Sequence, residues 1–163
     1  MEYRPSLAAT AVATTSGVCE GFAALDGPDA ALLRLADAAL DSRVVVLCPG
    51  ALDLTCAMLR LGYTGVAMAR LTDRPRTGQA DIAIVPHVLS AEFLQRAVPY
   101  ARRIVSTLGT VVIRLDGELQ PALVQQARRL LAGEGFAMAR VRSTAGVTLL
   151  RAEMPLSGHL KCA

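Results

Sequence analysis

Apolar residues recur along this chain at two spacings, and the switches between them lay out a fold. Residues 43–48, RVVVLC, form a continuous run centred on three β-branched valines. Such a run marks a strand buried on both faces. Residues 51–61 return to helical spacing and are stopped by Gly62, the residue type that most easily takes the left-handed turn after a helix. Upstream, Asp26-Gly27-Pro28-Asp29 has the composition of a helix start, because proline fits the first turn and acids there suit the helix dipole. That helix is predicted to reach about Leu40, with Leu32, Leu33, Leu35, Ala36 and Leu40 as its apolar face.

Downstream, residues 65–69 read as a second short strand, followed by the polar loop LTDRPRTGQ at 71–79. Residues 81–85 form a third strand ended by Pro86. Ser90 caps a helix through Arg96, with Glu92 in its first turn, and Pro99 begins or kinks a further helical piece over 100–106. Residues 110–115 are a fourth strand, and Pro121 sits near the start of a long helix reaching Leu131 and closed by Gly133 and Gly135. Residues 136–142 and 147–151 pair as an antiparallel hairpin through the STAG turn at 143–146.

Strands alternating with helices imply a parallel sheet joined by right-handed crossovers. The prediction is a three-layer, Rossmann-like α/β domain, mostly parallel, with a C-terminal antiparallel hairpin. It occupies residues 28–155, preceded by an N-terminal arm or lid at 1–27 and followed by a flexible tail at 156–163. Ligands of such sheets bind beyond the carboxyl ends of the strands, at the switch point. The segments to watch are therefore 48–53, 69–76, 86–90 and 115–118.

Composition narrows the classes. A chain of 163 residues fills one core and is short for two. Its net charge of +3 is carried almost entirely by arginine and forms no continuous basic stripe, so nucleic acid is not an expected partner. No segment is apolar over the roughly 20 residues a membrane helix needs. Glu2 and several threonines break the apolar stretch at the N-terminus, which argues against a signal peptide. Cys19, Cys48, Cys56 and Cys162 show no CxxC spacing. Cys48 and Cys56 fall in segments expected to be buried, and reduced thiols in a cytoplasmic protein are the expectation.

The element order resembles the class I S-adenosylmethionine-dependent methyltransferases, shortened, over about residues 30–154. Three stretches carry the resemblance: VVVLCPGALDLTCAMLRLGY at 44–63 as the first motif and its helix, ADIAIVPHVL at 80–89 as the fourth-strand motif, and STLGTVVIRL at 106–115 as the loop and fifth strand. The resemblance implies S-adenosylmethionine as cofactor, with contacts falling on Cys48, Gly50, Asp53, Arg70 and Pro86. Asp53 also suits a plain first-turn helix position.

The chain departs from the family at three places. Aligned on Gly62-Tyr63, Val46 stands at the usual acid, and Cys48 and Leu52 stand at two of the usual glycines, so only Gly50 matches. A Cβ at those positions would collide with the cofactor, and Leu52 is expected to project into its space. The second strand ends in Arg70 rather than an acid that accepts both ribose hydroxyls, and no acid follows until Asp73. Only the polar loop fills the interval where the family places a helix and a third strand. The second strand is thereby expected to be an exposed sheet edge, which must be covered or paired.

His87 is the leading candidate for chemistry, a general base just past a buried strand, weighed against a loop histidine bonded to backbone. Arg70, Arg74 and Arg76 cluster after the second strand, where an arginine can hold a ribose phosphate, weighed against a solvated loop. Neither a GxGxxG after the first strand nor a GxxxxGK[ST] occurs. Asp81 matches an acid whose role in the family is structural. Asp116 and Glu118 could line the cleft, weighed against turn and cap chemistry. His159 and Cys162 lie in the tail, and no metal site is expected.

Two readings follow. In the first, the domain is a degenerate, non-catalytic methyltransferase-like module that holds no cofactor and binds a partner, as a homodimer through the open edge. The alternative is a divergent S-adenosylmethionine-dependent methyltransferase whose cofactor sits near Gly50 with His87 near the substrate.

Overall fold

The computed structural model describes residues 27–88, 90–116, 120–144 and 146–155. The expected arm at 1–26, the tail at 156–163 and Glu118 lie outside the described residues. The elements, in chain order, are α1 (Pro28–Ala36), β1 (Arg43–Leu47), α2 (Ala51–Arg60), β2 (Gly65–Ala69), β3 (Ala80–Val88), α3 (Ala91–Ile104), β4 (Val105–Asp116), α4 (Gln120–Gly133), β5 (Ala137–Thr144) and β6 (Val147–Glu153).

The six strands form one sheet in the order β2-β1-β3-β4-β6-β5. β2, β1, β3 and β4 run parallel, while β6 is antiparallel to both β4 and β5. Alternation along β1 explains the three layers. Val44 and Val46 turn to the face covered by α1 and α2, together with Leu32, Leu35, Leu54 and Met58. Val45 and Leu47 turn to the other face, with Leu94, Ala101 and Ile104 of α3 and Leu131 of α4. The expected two-sided burial of β1 is thus met, and β2 is the sheet edge as expected.

Several boundaries differ from the sequence expectation. The first helix ends at Ala36 instead of running to Leu40, because Asp37 takes a left-handed conformation (φ 52°) and its N–H bonds back to Leu33. Arg151 of β6 completes that end by donating to the Leu35 carbonyl at 3.0 Å. Leu40 therefore lies beyond the helix and is exposed. Pro99 neither begins nor breaks a helix, and α3 is continuous across it. A proline costs one backbone hydrogen bond, but Leu94, Ala97, Val98, Ala101 and Ile104 bury α3 on the sheet from both sides of Pro99.

β4 begins at Val105 rather than Thr110, with a bulge after its first pair: Ala80 pairs Val105, and Ile82 pairs Thr110. Gly109 is required there, since a Cβ would come within 2.6 Å of the Val105 Cβ. Cys48 and Cys56 are half-buried rather than buried, and both are free thiols.

The amino ends of the strands are tied by Arg43 and Asp81. The Arg43 backbone N–H, Nε and Nη2 all donate to the Asp81 carboxylate, Nη2 at 2.6 Å. Hydrogen bonding from Arg43 holds the Asp81 carboxyl below its ordinary range. Asp81 thus has the structural role the resemblance implied, at the end of the sheet opposite the candidate site. Among the described residues, no helix is long and apolar enough to cross a membrane.

Candidate functional site at the carboxyl ends of the parallel strands

β3 continues through Pro86 and His87 to Val88, past the expected end at Val85. The ladder shows how. Val85 pairs with Ile113 and Val88 with Leu115, so three steps along β3 match two along β4. This is a one-residue bulge, the place where a strand tolerates a residue with no N–H to donate. Strict alternation fails across it, since Val85 and Val88 both enter the same core. The bulge lies at the carboxyl end of a central strand and sets the direction of His87.

His87 Nδ1 lies 2.8 Å from Asp116 Oδ2, at the end of the neighbouring strand. Asp116 Oδ1 accepts from Arg114 Nε at 2.7 Å, and Arg114 Nη1 donates to Asp29 Oδ1 at 2.8 Å. The chain of contacts His87–Asp116–Arg114–Asp29 thus links β3, β4 and the first turn of α1. Asp116 Oδ2 is buried and makes no aligned hydrogen bond, so its contact with His87 is one of proximity. Asp116 fixes one side of the imidazole, leaving Nε2 as the ring atom for a ligand or a proton. Of the two readings of Asp116, a place in the cleft is the one its contacts support, because its oxygens meet Arg114 and His87. The available signal was the Arg114-x-Asp116 spacing, which puts both side chains on one face of a strand.

The loop after β1 packs onto the same end. Gly50 caps α2 with a left-handed backbone (φ 79°). A Cβ on Gly50 would stand 3.3 Å from the His87 Cβ and 3.9 Å from the Pro86 Cγ. The one matching glycine is therefore needed for internal packing between the β1 loop and the β3 bulge.

The other expected cofactor positions are spread around this point. Cys48 closes β1, its N–H donating to the Ala69 carbonyl at 3.0 Å. Pro86 is buried within β3. Arg70 follows β2 and is exposed, and its N–H donates to Asp73 Oδ2 at 2.7 Å. Asp53 is an exposed acid in the first turn of α2. The structure brings Gly50, Pro86 and His87 into contact range, while Asp53 points to solvent from the helix. Leu52 is 61% exposed at the start of α2. Val46, at the family's acid position, is fully buried between Met68 and Ile84 of the adjoining strands.

The single glycine is backed by His87, the acid position is core, and β2 ends in a cation. Among the described residues, no three His, Cys, Asp or Glu side chains converge as metal ligands. His159 and Cys162 lie outside the described residues.

No family model matches the sequence, and no curated protein matches it. Solved structures do match. A putative methyltransferase from Bacillus halodurans C-125 aligns with a TM-score of 0.62 and 12% identity, over 80% of this chain and 100% of its own. An S-adenosylmethionine-dependent methyltransferase from Mesorhizobium loti aligns with a TM-score of 0.57 and 14% identity, over 78% of this chain and 99% of its own. A geranyl diphosphate methyltransferase, solved with GPP and sinefungin, aligns with a TM-score of 0.54 and 10% identity, over 78% of this chain and 76% of its own. At such identities the likeness is one of fold. The chain has a class I S-adenosylmethionine-dependent methyltransferase-like fold, in a shortened form whose sheet ends at β2.

Proposed function

We propose that this domain is a methyltransferase-fold binding module that does not transfer methyl groups and does not hold S-adenosylmethionine in the family's manner. The observation that carries this reading is Gly50. In a cofactor cradle, the space of a missing Cβ serves the ligand. Here the same space is bounded by His87 and Pro86. Two further observations support it: the burial of Val46 at the acid position and the commitment of the Arg70 N–H to Asp73 at the end of β2. The module works in the cytoplasm, where the half-buried thiols of Cys48 and Cys56 stay reduced. Its partner surface is the edge of β2, and the occupant is a second copy of the chain. Sizing at high concentration reads a dimer if this is so, and a monomer at all concentrations removes that part of the reading.

The second reading is a divergent S-adenosylmethionine-dependent methyltransferase. It is favoured by the His87–Asp116 contact of 2.8 Å at the carboxyl ends of β3 and β4, which suits a positioned general base. Thermal melting with S-adenosylhomocysteine separates the two. The first reading expects an unchanged Tm, and the second expects a rise that follows ligand concentration.

A further inference from the structure

The loop between β2 and β3 covers a second feature, on the face of β1 and β2. A cavity of about 340 Å³ lies against β1 and β2, close to the edge of the sheet. That volume falls at the lower end of small-molecule sites, which span roughly 300–1,000 Å³. Its floor includes Val45, Ala67 and Ala69, and its walls include Arg74, Arg76 and Tyr100. Small side chains on the floor leave the space open, because no strand or helix follows β2 before β3.

The charges in this cavity are unevenly committed. Arg43 is occupied by Asp81 and by the Gly78 carbonyl. The Asp73 carboxylate accepts the Arg70 N–H. Among the described residues, Arg74 and Arg76 have no ion-pair or hydrogen-bond partner. Their loop is nonetheless held at both ends. Asp73 and Arg70 close a turn at its start, while the Gly78 N–H bonds to the Arg103 carbonyl at its end. Two guanidinium groups on an anchored loop over an apolar floor match an anion carried on an organic body. Tyr100, 7% exposed, stands beside Asp73. A phenol keeps its proton at neutral pH and can donate; burial first, and then the Asp73 charge, raise this one further.

We propose that this cavity binds a small organic phosphate, with the phosphate between Arg74 and Arg76 and the body on the Val45, Ala67 and Ala69 floor. It gives the binding role a ligand and rests on that reading for its meaning. Its test is separate, because a nucleoside cofactor would be sought at the carboxyl ends and a phosphate on the face of β1 and β2.

The experiment is calorimetric titration of the full chain with phenyl phosphate, ribose 5-phosphate, inorganic phosphate and benzoate, at low and high salt. One or both organic phosphates should bind, more tightly than inorganic phosphate and more weakly as salt rises. In the double variant Arg74→Gln/Arg76→Gln, affinity should fall at least about tenfold, while the melting temperature stays unchanged because both residues are exposed. Ala67→Leu should abolish binding with both arginines intact, by filling the floor. Equal affinity in the double variant, benzoate binding as tightly as phenyl phosphate, or no organic phosphate binding at millimolar concentration overturns the proposal. It also fails if an extended acidic peptide binds while the phosphates do not, for the β2 edge would then be the site.

Discussion

The carboxyl-end site and the cavity beside β2 are opposites. At the first, the fold shared with the methyltransferases would open onto a ligand, and here the protein's own side chains meet: Gly50 packs on His87 and Pro86, and His87 reaches Asp116. At the second, the family's additional helix and strand would cover the sheet, and here β2 is the edge and the space is open. The residues follow the change. The carboxyl-end site has a core valine, Val46, at the family's acid position. The open site has Arg74 and Arg76 without partners among the described residues. The contrast teaches that one sheet can commit its polar side chains to each other in one region and leave them uncommitted in another.

The largest effect that could break this contrast comes from restoring the acid. Val46→Asp puts a carboxylate at a fully buried position with no cation in its core cluster. Stability in urea should fall by about 3–5 kcal/mol. A variant as stable as the parent, or one stabilised by S-adenosylmethionine, would show that this end of the sheet still admits a ligand. Next is Gly50→Ala. It forces a side chain into a left-handed backbone and against His87 at 3.3 Å, and it should cost about 1–3 kcal/mol. No loss of Tm would mean that the loop is free of the β3 bulge.

The smallest effect concerns Arg43, the cavity wall braced by Asp81. The folded-state carboxyl of Asp81 is depressed below 3.8. Its contribution is therefore fully present above the ordinary carboxyl range and is lost as pH falls through the lower folded value. Both side chains are well exposed, so solvent weakens the pair. Asp81→Asn should remove a small stability increment at neutral pH and flatten the acid arm of the stability profile below about pH 4. An acid arm identical to the parent's would show that the pair carries no linkage.

Much of the fold was legible because β1, β3 and β4 each hold an unbroken apolar run, at 44–47, 82–86 and 111–113, and their order with the helices leaves few topologies. The open edge was legible too, from the short polar interval after β2. The misread boundaries share a cause: tertiary contacts overrode local signals. Pro99 reads as a break, yet α3 is buried on both sides of it. Pro86 reads as a strand end, yet a bulge absorbs its missing donor. Leu40 reads as helix, yet Asp37 and Arg151 close α1 a turn earlier. At the site, His87 could be named from its place after a strand. Asp116 could not be given to it, because that pairing depends on which strands are neighbours and on the added residue in β3. The arginine cluster was visible as composition, but only the structure separates Arg74 and Arg76, which line the cavity, from Arg70, which follows the strand end.

The central claim is that the carboxyl-end loop is packed as structure and does not serve as a cofactor cradle. Calorimetric titration of the full chain with S-adenosylmethionine, repeated with S-adenosylhomocysteine, tests it most directly. The account predicts no saturable heat from either compound up to millimolar concentration. A micromolar Kd for either one, weakened by substitution at Gly50 or Arg70, would contradict it.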